Sequence, residues 1–398
     1  MRASRAAAGV SGLIVPILAG LIGSALPATT TAQTPQHRIA DSTFWRMVTT
    51  FSEPGGYFAS DNYVSNENEW QYVIPPKLAS ADRNAAYLGV GPEQNFTYIA
   101  AFQPRIAFIC DIRRQNLLQH LLYKALIEMS DDRAQLISLL FARLRPAGLD
   151  TASTPAQLVA AYAPIAPDSA LYFSTLRSIY TRLVTGHGFS LTRSDSVTIR
   201  AVYSVFVDAG LDVNYSSGTS HGVETTFRGY SSPPVTVNTR PVRPGYSTFA
   251  ALMLEDDGTG VNRGWLGTEA AFRIVKDYQL RNLIIPVVGD FAGGTALRSI
   301  GEYLGDSDTR LGTFYVSNVE QYLFEDATNW SKFYTNVAAM PLSENATFVR
   351  SLSNRAQVQP RKSDSRLAQL TSPIDTVVQA YLAGTLKTYF DLIALRDK

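Results

Sequence analysis

The residues best suited to bind a ligand lie in a glycine-rich turn after a short apolar run. Gly89 and Gly91 follow the run AAYL and precede a segment with helical spacing that begins at Asn95. Glycines at such a turn let the backbone approach a ligand closely, and they leave the first N–H groups of the next helix free for a carboxylate or phosphate. The turn therefore predicts a small-molecule site, with Gly89, Gly91 and Asn95 among its residues.

An acidic residue at a suitable distance strengthens this prediction. Asp111 follows the apolar run IAFIC, 20 residues after Gly91, where a carboxylate can accept hydrogen bonds from both hydroxyls of a ribose. Two residues depart from the dinucleotide-binding fingerprint: Gln94 replaces its third glycine, and Glu93 would repel a pyrophosphate. The cationic amino acid end of S-adenosylmethionine would not be repelled, so the turn favours this cofactor. The alternative is a turn without a ligand, with Asp111 a solvated acid.

Polar residues after two later apolar runs are candidates for catalysis. Asp290 follows LIIPVVG, and Asn318 follows FYVS. Ligands of open α/β sheets bind outside the carboxyl ends of the strands, so both side chains are expected at the same crevice as Gly91. Asp290 could act as a general base or substrate anchor, and Asn318 could orient an acceptor. The alternative for Asp290 is an acid that only caps its own loop.

A polar segment near the N-terminus supplies the candidate substrate residues Asn62, Asn66 and Glu67, which aromatic side chains flank. The segment could fold over a ligand or form an ordered turn that satisfies its own backbone. His187, in TGHGF, is expected on the surface, and Cys110 is expected to be a small apolar filler inside a strand.

The composition excludes several classes of site. The 398 residues carry a net charge of +1 without a basic run, which gives no footprint for nucleic acid. One cysteine and four scattered histidines provide no zinc-binding pattern, so no metal site is expected. A small-molecule ligand is the expected partner, and the sequence indicates no oligomeric state.

The N-terminus has the pattern of an export signal. Two arginines precede a long apolar stretch that ends in small residues, which predicts a signal peptide over residues 1–32 and a periplasmic or secreted protein. An uncleaved anchor and a non-exported, cytoplasmic chain remain alternatives. No later segment is apolar for long enough to span a bilayer.

Alternating apolar runs and helical patterns predict an α/β fold with a Rossmann-like, open, mostly parallel twisted sheet. Six strands are expected, over residues 85–89, 106–110, 249–254, 283–288, 313–316 and 347–352. The expected organisation is an N-terminal loop and first half-domain (33–114), a mostly helical insertion after the second strand (115–245), a second half-domain (246–353), and a linker with a C-terminal amphipathic helix (354–398).

Five sequence runs resemble a family of largely uncharacterised bacterial proteins with a class I S-adenosylmethionine-dependent methyltransferase-like Rossmann fold. These are SEPGGYFASDNYVSNE, YLGVGPEQNF, FICDIRRQN, RNLIIPVVGDFAG and FYVSNVEQYLF, within residues 44–352. The resemblance implies that Gly89, Gly91 and Glu93 hold the methionyl part of the cofactor and that Asp111 holds the ribose. It also implies that Glu255 and Asp256, after the predicted third strand, lie beside the adenine.

Three functional hypotheses follow. The first is a methyltransferase, or methyltransferase-like protein, with an unknown acceptor bound on the side of the helical insertion. The second is an exported, non-catalytic Rossmann-like protein that binds another small molecule or a partner. A nicotinamide-dependent oxidoreductase is the third, and Glu93 and the missing third glycine count against it.

Overall fold

A computed structural model describes residues 38–215, 246–353 and 367–397. The predicted signal peptide and much of the predicted linker lie outside these ranges. Within the described residues, no helix is both long and apolar enough to cross a membrane.

The core is a six-stranded sheet with the order β3-β2-β1-β4-β5-β6. The first five strands run parallel, and β6 pairs with β5 in the antiparallel direction. The strands are β1 (Ala86–Gly89), β2 (Ile106–Asp111), β3 (Ile284–Val288), β4 (Leu311–Ser317), β5 (Leu342–Ser353) and β6 (Leu367–Pro373). Strands β1, β2 and β3 are buried along their whole length, as expected where helices cover both faces of a sheet. The predicted α/β fold with a mostly parallel sheet is therefore confirmed.

Helices connect and cover these strands. Before β3 they are α1 (Asp41–Thr50), α2 (Ile74–Leu78), α3 (Gln94–Phe102), α4 (Arg114–Met129), α5 (Arg133–Leu140), α6 (Pro155–Tyr162), α7 (Ser169–Tyr180), α8 (Arg193–Ala209), α9 (Phe249–Leu254) and α10 (Glu269–Leu280). After β3 follow α11 (Ala296–Asp306), α12 (Val319–Leu323), α13 (Asn329–Ala338), α14 (Ile374–Leu382) and α15 (Tyr389–Ala394). Helices α4 to α8 follow β2, within the described part of the predicted insertion 115–245; residues 216–245 lie outside the described residues.

The predicted strand at residues 249–254 is wrong, because this segment forms helix α9. The Thr248 side chain accepts a hydrogen bond from the Ala251 N–H and so caps the helix. Phe249, Leu252 and Met253 are buried at helical spacing. A six-residue apolar run does not distinguish a strand from a buried helix, and the cap decides between them here. The third strand in chain order is therefore β3.

The C-terminal region differs from the prediction in two ways. Residues 367–373, expected to be part of the linker, form β6 at the edge of the sheet. The expected single helix is two short ones, because Gly384 takes a left-handed conformation with φ of +68° and Thr388 begins a new helix with a capping box. The number of strands agrees with the prediction, but one member differs.

A buried ionic cluster joins α1 and α4 to the turn that follows α7. The His187 ring lies between two carboxylates, with Nδ1 2.8 Å from Asp41 and Nε2 2.8 Å from Glu128. Glu128 also pairs with Lys124 at 2.7 Å. The prediction that His187 is a surface residue is therefore wrong, because its ring stacks on Phe189 and only 9% of its side chain is exposed.

Replacing Glu128→Gln should destabilise the protein by about 3 kcal/mol at neutral pH, since it leaves the buried Lys124 side chain without its carboxylate partner. Burial alone would raise the pKa of Glu128, but the His187 hydrogen bond and the Lys124 charge lower it below its ordinary value of 4.5. Such a group stabilises the fold above pH 4.5, and this stabilisation is lost as the pH falls through the lower folded pKa. Urea denaturation should therefore show a smaller difference from wild type in acid. Glu302→Gln, at an exposed position, is the control; an equal effect of both variants would contradict this account.

Candidate functional site

A cavity of about 290 Å³ lies outside the carboxyl ends of β1, β2, β3 and β4. It includes the topological switch point between β1 and β4, where open α/β sheets bind their ligands. The structure brings six of the predicted site residues together in its wall: Asn62, Asn66, Gly91, Asp111, Asp290 and Asn318. We call this cavity the crevice.

Asn95 holds the glycine-rich turn in place. Its buried Nδ2 donates hydrogen bonds to the carbonyls of Val90 (2.9 Å), Gly91 (3.2 Å) and Pro92 (2.7 Å), and its Oδ1 accepts one from the Tyr87 hydroxyl at 2.8 Å. Gly89 packs against this amide so closely that a Cβ atom there would lie 2.0 Å from Asn95 Oδ1. Neither Gly89 nor Asn95 lines the crevice, so both act by positioning Gly91.

Gly91 itself lines the crevice with φ of +81°, a conformation that favours glycine. The His120 ring approaches the Gly91 carbonyl, with Nε2 2.9 Å from the oxygen. Burial lowers the pKa of His120 to about 4, so the ring is neutral at pH 7. A neutral ring that donates from Nε2 leaves Nδ1 as an acceptor, and this nitrogen has no hydrogen-bond partner among the described residues.

Glu93 does not line the crevice. Its carboxyl group is buried and accepts a hydrogen bond from the Ser65 N–H at 3.3 Å. Burial raises its pKa to about 8, so the group is mostly protonated at pH 7. The expected charge effect of Glu93 on a cofactor is therefore absent, which corrects both the argument against a pyrophosphate and the proposed contact with a cationic amino group.

Asp111 lines the crevice at the end of β2, but it is buried rather than solvated. Arg113 donates to both carboxylate oxygens, from Nε to Oδ1 and from Nη2 to Oδ2, each at 3.1 Å. The Arg113 N–H donates to Oδ1 as well, at 2.9 Å. Oδ1 therefore accepts two hydrogen bonds and Oδ2 one, which leaves Oδ2 able to accept another.

Arg113 also positions a second segment of the crevice wall. Its Nη1 donates to the carbonyls of Ser60 (2.7 Å) and Asp61 (2.6 Å). This holds the polar segment 57–66 over the crevice, where Asn62 has φ of +50° and an Oδ1 without a hydrogen-bond partner among the described residues. The segment lines the crevice and leaves its volume open.

The two candidate catalytic residues lie on the loops after β3 and β4, two strands that β2 and β1 separate in the sheet. Asp290 Oδ1 accepts a hydrogen bond from the Ala292 N–H at 2.9 Å, so it caps its own loop as the alternative interpretation expected. The same loop is held by Glu53, which accepts hydrogen bonds from the N–H groups of Asp290 (3.1 Å) and Ala296 (3.0 Å). Asn318 immediately precedes α12 at the end of β4.

Glu67 supports the end of β4 instead of lining the crevice. Ser317, which does line it, has a left-handed φ of +51°, and its hydroxyl donates to Glu67 Oε1. Gln369 Nε2 donates to the other oxygen of Glu67 at 3.2 Å. Left-handed conformations of residues other than glycine are concentrated at functional sites, so the strain at Ser317 is consistent with a binding role for this loop.

Glu255 and Asp256 lie away from the crevice, because they follow helix α9 and not a strand. Glu255 accepts hydrogen bonds from Asn68 (3.1 Å) and from the Trp70 indole (2.7 Å). Asp256 accepts one from the Gly258 N–H at 2.7 Å. The residues that follow the true third strand and line the crevice are Gly289 and Asp290.

Sequence reasoning missed several residues of the crevice wall: Gln94, Arg113, Tyr215 and Tyr322. The Gln94 amide donates to the Tyr315 hydroxyl at 2.9 Å, which links α3 to β4 where the fingerprint has a third glycine. A signal for Arg113 existed in the sequence, since it lies two residues after Asp111. Among the described residues, no three His, Cys, Asp or Glu side chains are grouped to hold a metal ion.

Comparison with protein families assigns the chain to one of them. The family described as "Domain of unknown function (DUF7790)" matches residues 63–147 and 245–383, which together make up more than half of the chain. The chain therefore belongs to this family. The matched stretches include Gly91, Asp111, Asp290 and Asn318. No curated protein matches the sequence.

Replacing Glu93→Gln should leave a neutral amide in place of a protonated acid. The pKa of Glu93 is about 8 in the folded state, above its ordinary value of 4.5. Wild type therefore loses stability as the pH rises from 4.5 to about 8, and the variant does not. The variant should therefore gain stability over wild type as the pH rises, on the order of 3 kcal/mol near neutrality. Urea denaturation of both proteins at several pH values between 4.5 and about 8 measures this difference in the free energy of unfolding. The exposed control Glu302→Gln should show no such trend, and parallel curves for Glu93→Gln and wild type would show that Glu93 is ionised.

Proposed function

We propose that the crevice binds S-adenosylmethionine and that the chain is a methyltransferase, or a methyltransferase-like protein, of unknown acceptor. The observation that carries this proposal is the meeting of Gly91 and Asp111 in one crevice at the switch point of the sheet. A glycine turn after β1 and an acid after β2 are the two elements that such sheets use for the phosphate or carboxylate end and for the ribose of a nucleoside ligand.

The direction of β6 argues against a dinucleotide cofactor. The dinucleotide-binding sheet is built from two parallel βαβαβ halves in the order 3-2-1-4-5-6. Here the sixth strand is antiparallel to the fifth. The resemblance of the runs around Gly91, Asp111, Asp290 and Asn318 to class I methyltransferase-like proteins agrees with the S-adenosylmethionine proposal.

The residues present fit the cofactor. Gly91 offers backbone that can approach the methionyl carboxylate, Asp111 offers acceptor lone pairs to the ribose, and Asp290 follows β3 on the expected adenine side. When bound, S-adenosylmethionine supplies an electrophilic methyl group, and its transfer requires mainly alignment with the acceptor. Asn318 can orient an acceptor by hydrogen bonding, and Asp290 can anchor it or take its proton.

One contact favours the second hypothesis, an exported and non-catalytic binding protein. Both oxygens of Asp111 already accept hydrogen bonds from Arg113, so a ribose must share them. Export directed by the predicted signal peptide (residues 1–32) would also agree with a non-catalytic protein, because S-adenosylmethionine is made and used in the cytoplasm. A nicotinamide cofactor is disfavoured by Gln94 and by the direction of β6, and no longer by the charge of Glu93.

Titration calorimetry on the full chain with S-adenosylhomocysteine, S-adenosylmethionine and NADH tests the proposal. We expect both sulfur nucleosides to bind and NADH not to. Replacing Asp111→Asn keeps an acceptor for Arg113 but removes the negative charge, so it should weaken S-adenosylhomocysteine about tenfold or more.

The control is Asp306→Asn, the same exchange at an exposed position, which should bind like wild type. Thermal melting confirms that each variant folds. No heat with either sulfur nucleoside at millimolar concentration would reject the methyltransferase proposal in favour of the non-catalytic one, and heat with NADH alone would favour the oxidoreductase.

A further inference from the structure

The crevice has two parts of different chemistry. Among its described lining residues, three have charged side chains, and all of them follow β2 or β3: Asp111, Arg113 and Asp290. The order of the sheet places β1 between β2 and β4. Because neighbouring strands are about 4.8 Å apart, the end of β4 lies about 10 Å from the end of β2. The wall at the end of β4 therefore has its own chemistry.

This wall, which we call the β4 side, combines two segments of the chain. The segment before α2 contributes Phe58 and Asn66, and the loop and helix after β4 contribute the lining residues Asn318, Val319, Tyr322 and Leu323. None of these six side chains is charged. The β4 side is therefore an apolar and amide-lined surface.

Two accessible amides lie near each other on the β4 side. The Ser317 hydroxyl donates to Glu67, which brings their sequence neighbours Asn318 and Asn66 to the same wall. The Asn66 side chain forms no hydrogen bond with another described residue, and Asn318 accepts one long bond, from the Ser317 hydroxyl to Oδ1 at 3.4 Å. Both residues are partly exposed, and their amide nitrogens are not among the buried atoms that lack a partner. Each amide can therefore donate to a ligand and accept from it.

Aromatic rings lie beside these amides. Phe58 and Tyr322 meet edge to face, with ring centroids 5.4 Å apart and an angle of 88° between the rings. Tyr322 is 44% exposed and follows Asn318 by four residues, which is about one helical turn. Val319 and Leu323 extend the apolar surface on the same wall. A planar ring of a ligand could pack against this pair in the edge-to-face or offset arrangements that aromatic rings prefer.

The surroundings of the β4 side favour a neutral ligand. The Arg113 guanidinium lies 5.9 Å from the centroid of the Phe58 ring, but it is engaged by Asp111 and by two backbone carbonyls. Glu67 lies behind Ser317, where its carboxylate would oppose an anion. It is only 1% exposed, and its oxygens already accept from Ser317 and Gln369, so it is not accessible to a cation. Burying a charged group without a partner is costly.

We propose that the β4 side binds a neutral aromatic compound that carries a hydroxyl group. The ring packs against Tyr322 and Phe58, and the hydroxyl exchanges hydrogen bonds with the amides of Asn66 and Asn318.

In one respect this inference rests on the proposed function: if the crevice binds S-adenosylmethionine, the aromatic compound is the methyl acceptor. Its hydroxyl oxygen then forms a bond to the methyl carbon, and the electron pair of the broken carbon–sulfur bond stays on sulfur. The hydroxyl proton passes to water at the open edge of the crevice, where Tyr322 is exposed.

Fluorine NMR of the full chain with 4-fluorophenol at pH 7 tests this subsite, with and without saturating S-adenosylhomocysteine. The probe is uncharged at this pH, since a phenol has a pKa of about 10. It should bind under both conditions with a dissociation constant of about 1 mM or tighter. The anion 4-fluorobenzoate and the cation 4-fluorobenzylamine should each bind at least about tenfold more weakly, because the β4 side offers no partner for their charge.

Two variants test the assigned contacts. Tyr322→Leu removes the ring and keeps apolar bulk, and Asn66→Ala removes one amide, so each should weaken the probe about fivefold. The controls are Phe390→Leu and Asn84→Ala, comparable exchanges at exposed positions, which should bind like wild type. Thermal melting confirms that each variant folds.

The outcomes separate this inference from the proposed function. A protein that binds S-adenosylhomocysteine but not 4-fluorophenol, or that loses the probe when the nucleoside is added, would overturn the subsite and leave the nucleoside proposal in place. Equal or tighter binding of a charged analogue, or unchanged binding by both Tyr322→Leu and Asn66→Ala, would overturn it as well. Binding of the probe with the expected variant effects, but without binding of the nucleoside, would support the subsite and reject the methyltransferase proposal.

Discussion

The buried pair between Arg113 and Asp111 is the interaction on which the site depends. One guanidinium fixes the acid at the end of β2 and, through the carbonyls of Ser60 and Asp61, the segment that covers the crevice. Arg113 also immediately precedes α4, so the pair lies directly before the start of that helix. A buried pair of this kind is costly to break, because either partner alone would be an uncompensated buried charge.

The pair also separates two environments of different chemistry. The crevice has the strand ends, the glycine turn and the strained backbone at Asn62 and Ser317, which suit an extended polar ligand. On the other side of Arg113, a second cavity of about 600 Å³ lies between the loop at residues 55–61 and the first turns of α4 and α8, and aromatic side chains and the carboxylates of Asp61 and Asp195 line it. Two ion pairs lie along this boundary, Arg113 with Asp111 and Arg114 with Asp195.

The sequence allowed most of the sheet to be predicted, because long buried parallel strands leave continuous apolar runs such as IAFIC and LIIPVV. The prediction failed at residues 249–254. A six-residue apolar run there fits a helix as well as a strand, and the Thr248 cap decides in favour of the helix. It also failed at β6, whose polar residues become a strand only because β5 provides a partner. Local pattern carries no information about such pairing.

The candidate site was predicted in part for a similar reason. Strand-end residues are set by topology, so Gly91, Asp111, Asp290 and Asn318 were expected at one crevice and are found there. The roles of Asn95, Glu67 and Glu93 depend on which way each side chain points and how deeply it is buried. Glu93 shows the consequence most clearly: in the sequence it is a charge beside the glycine turn, whereas in the structure it is a buried, mostly protonated acid with no access to the crevice.

A crystal structure of the full chain grown with saturating S-adenosylhomocysteine tests the central claim most directly. The account predicts electron density for the nucleoside in the crevice, with ribose hydroxyls within hydrogen-bond distance of the Asp111 carboxylate and the amino acid end beside Gly91. Density for the ligand at any other place, or an empty crevice at saturation, would contradict the claim that this crevice is a nucleoside-cofactor site.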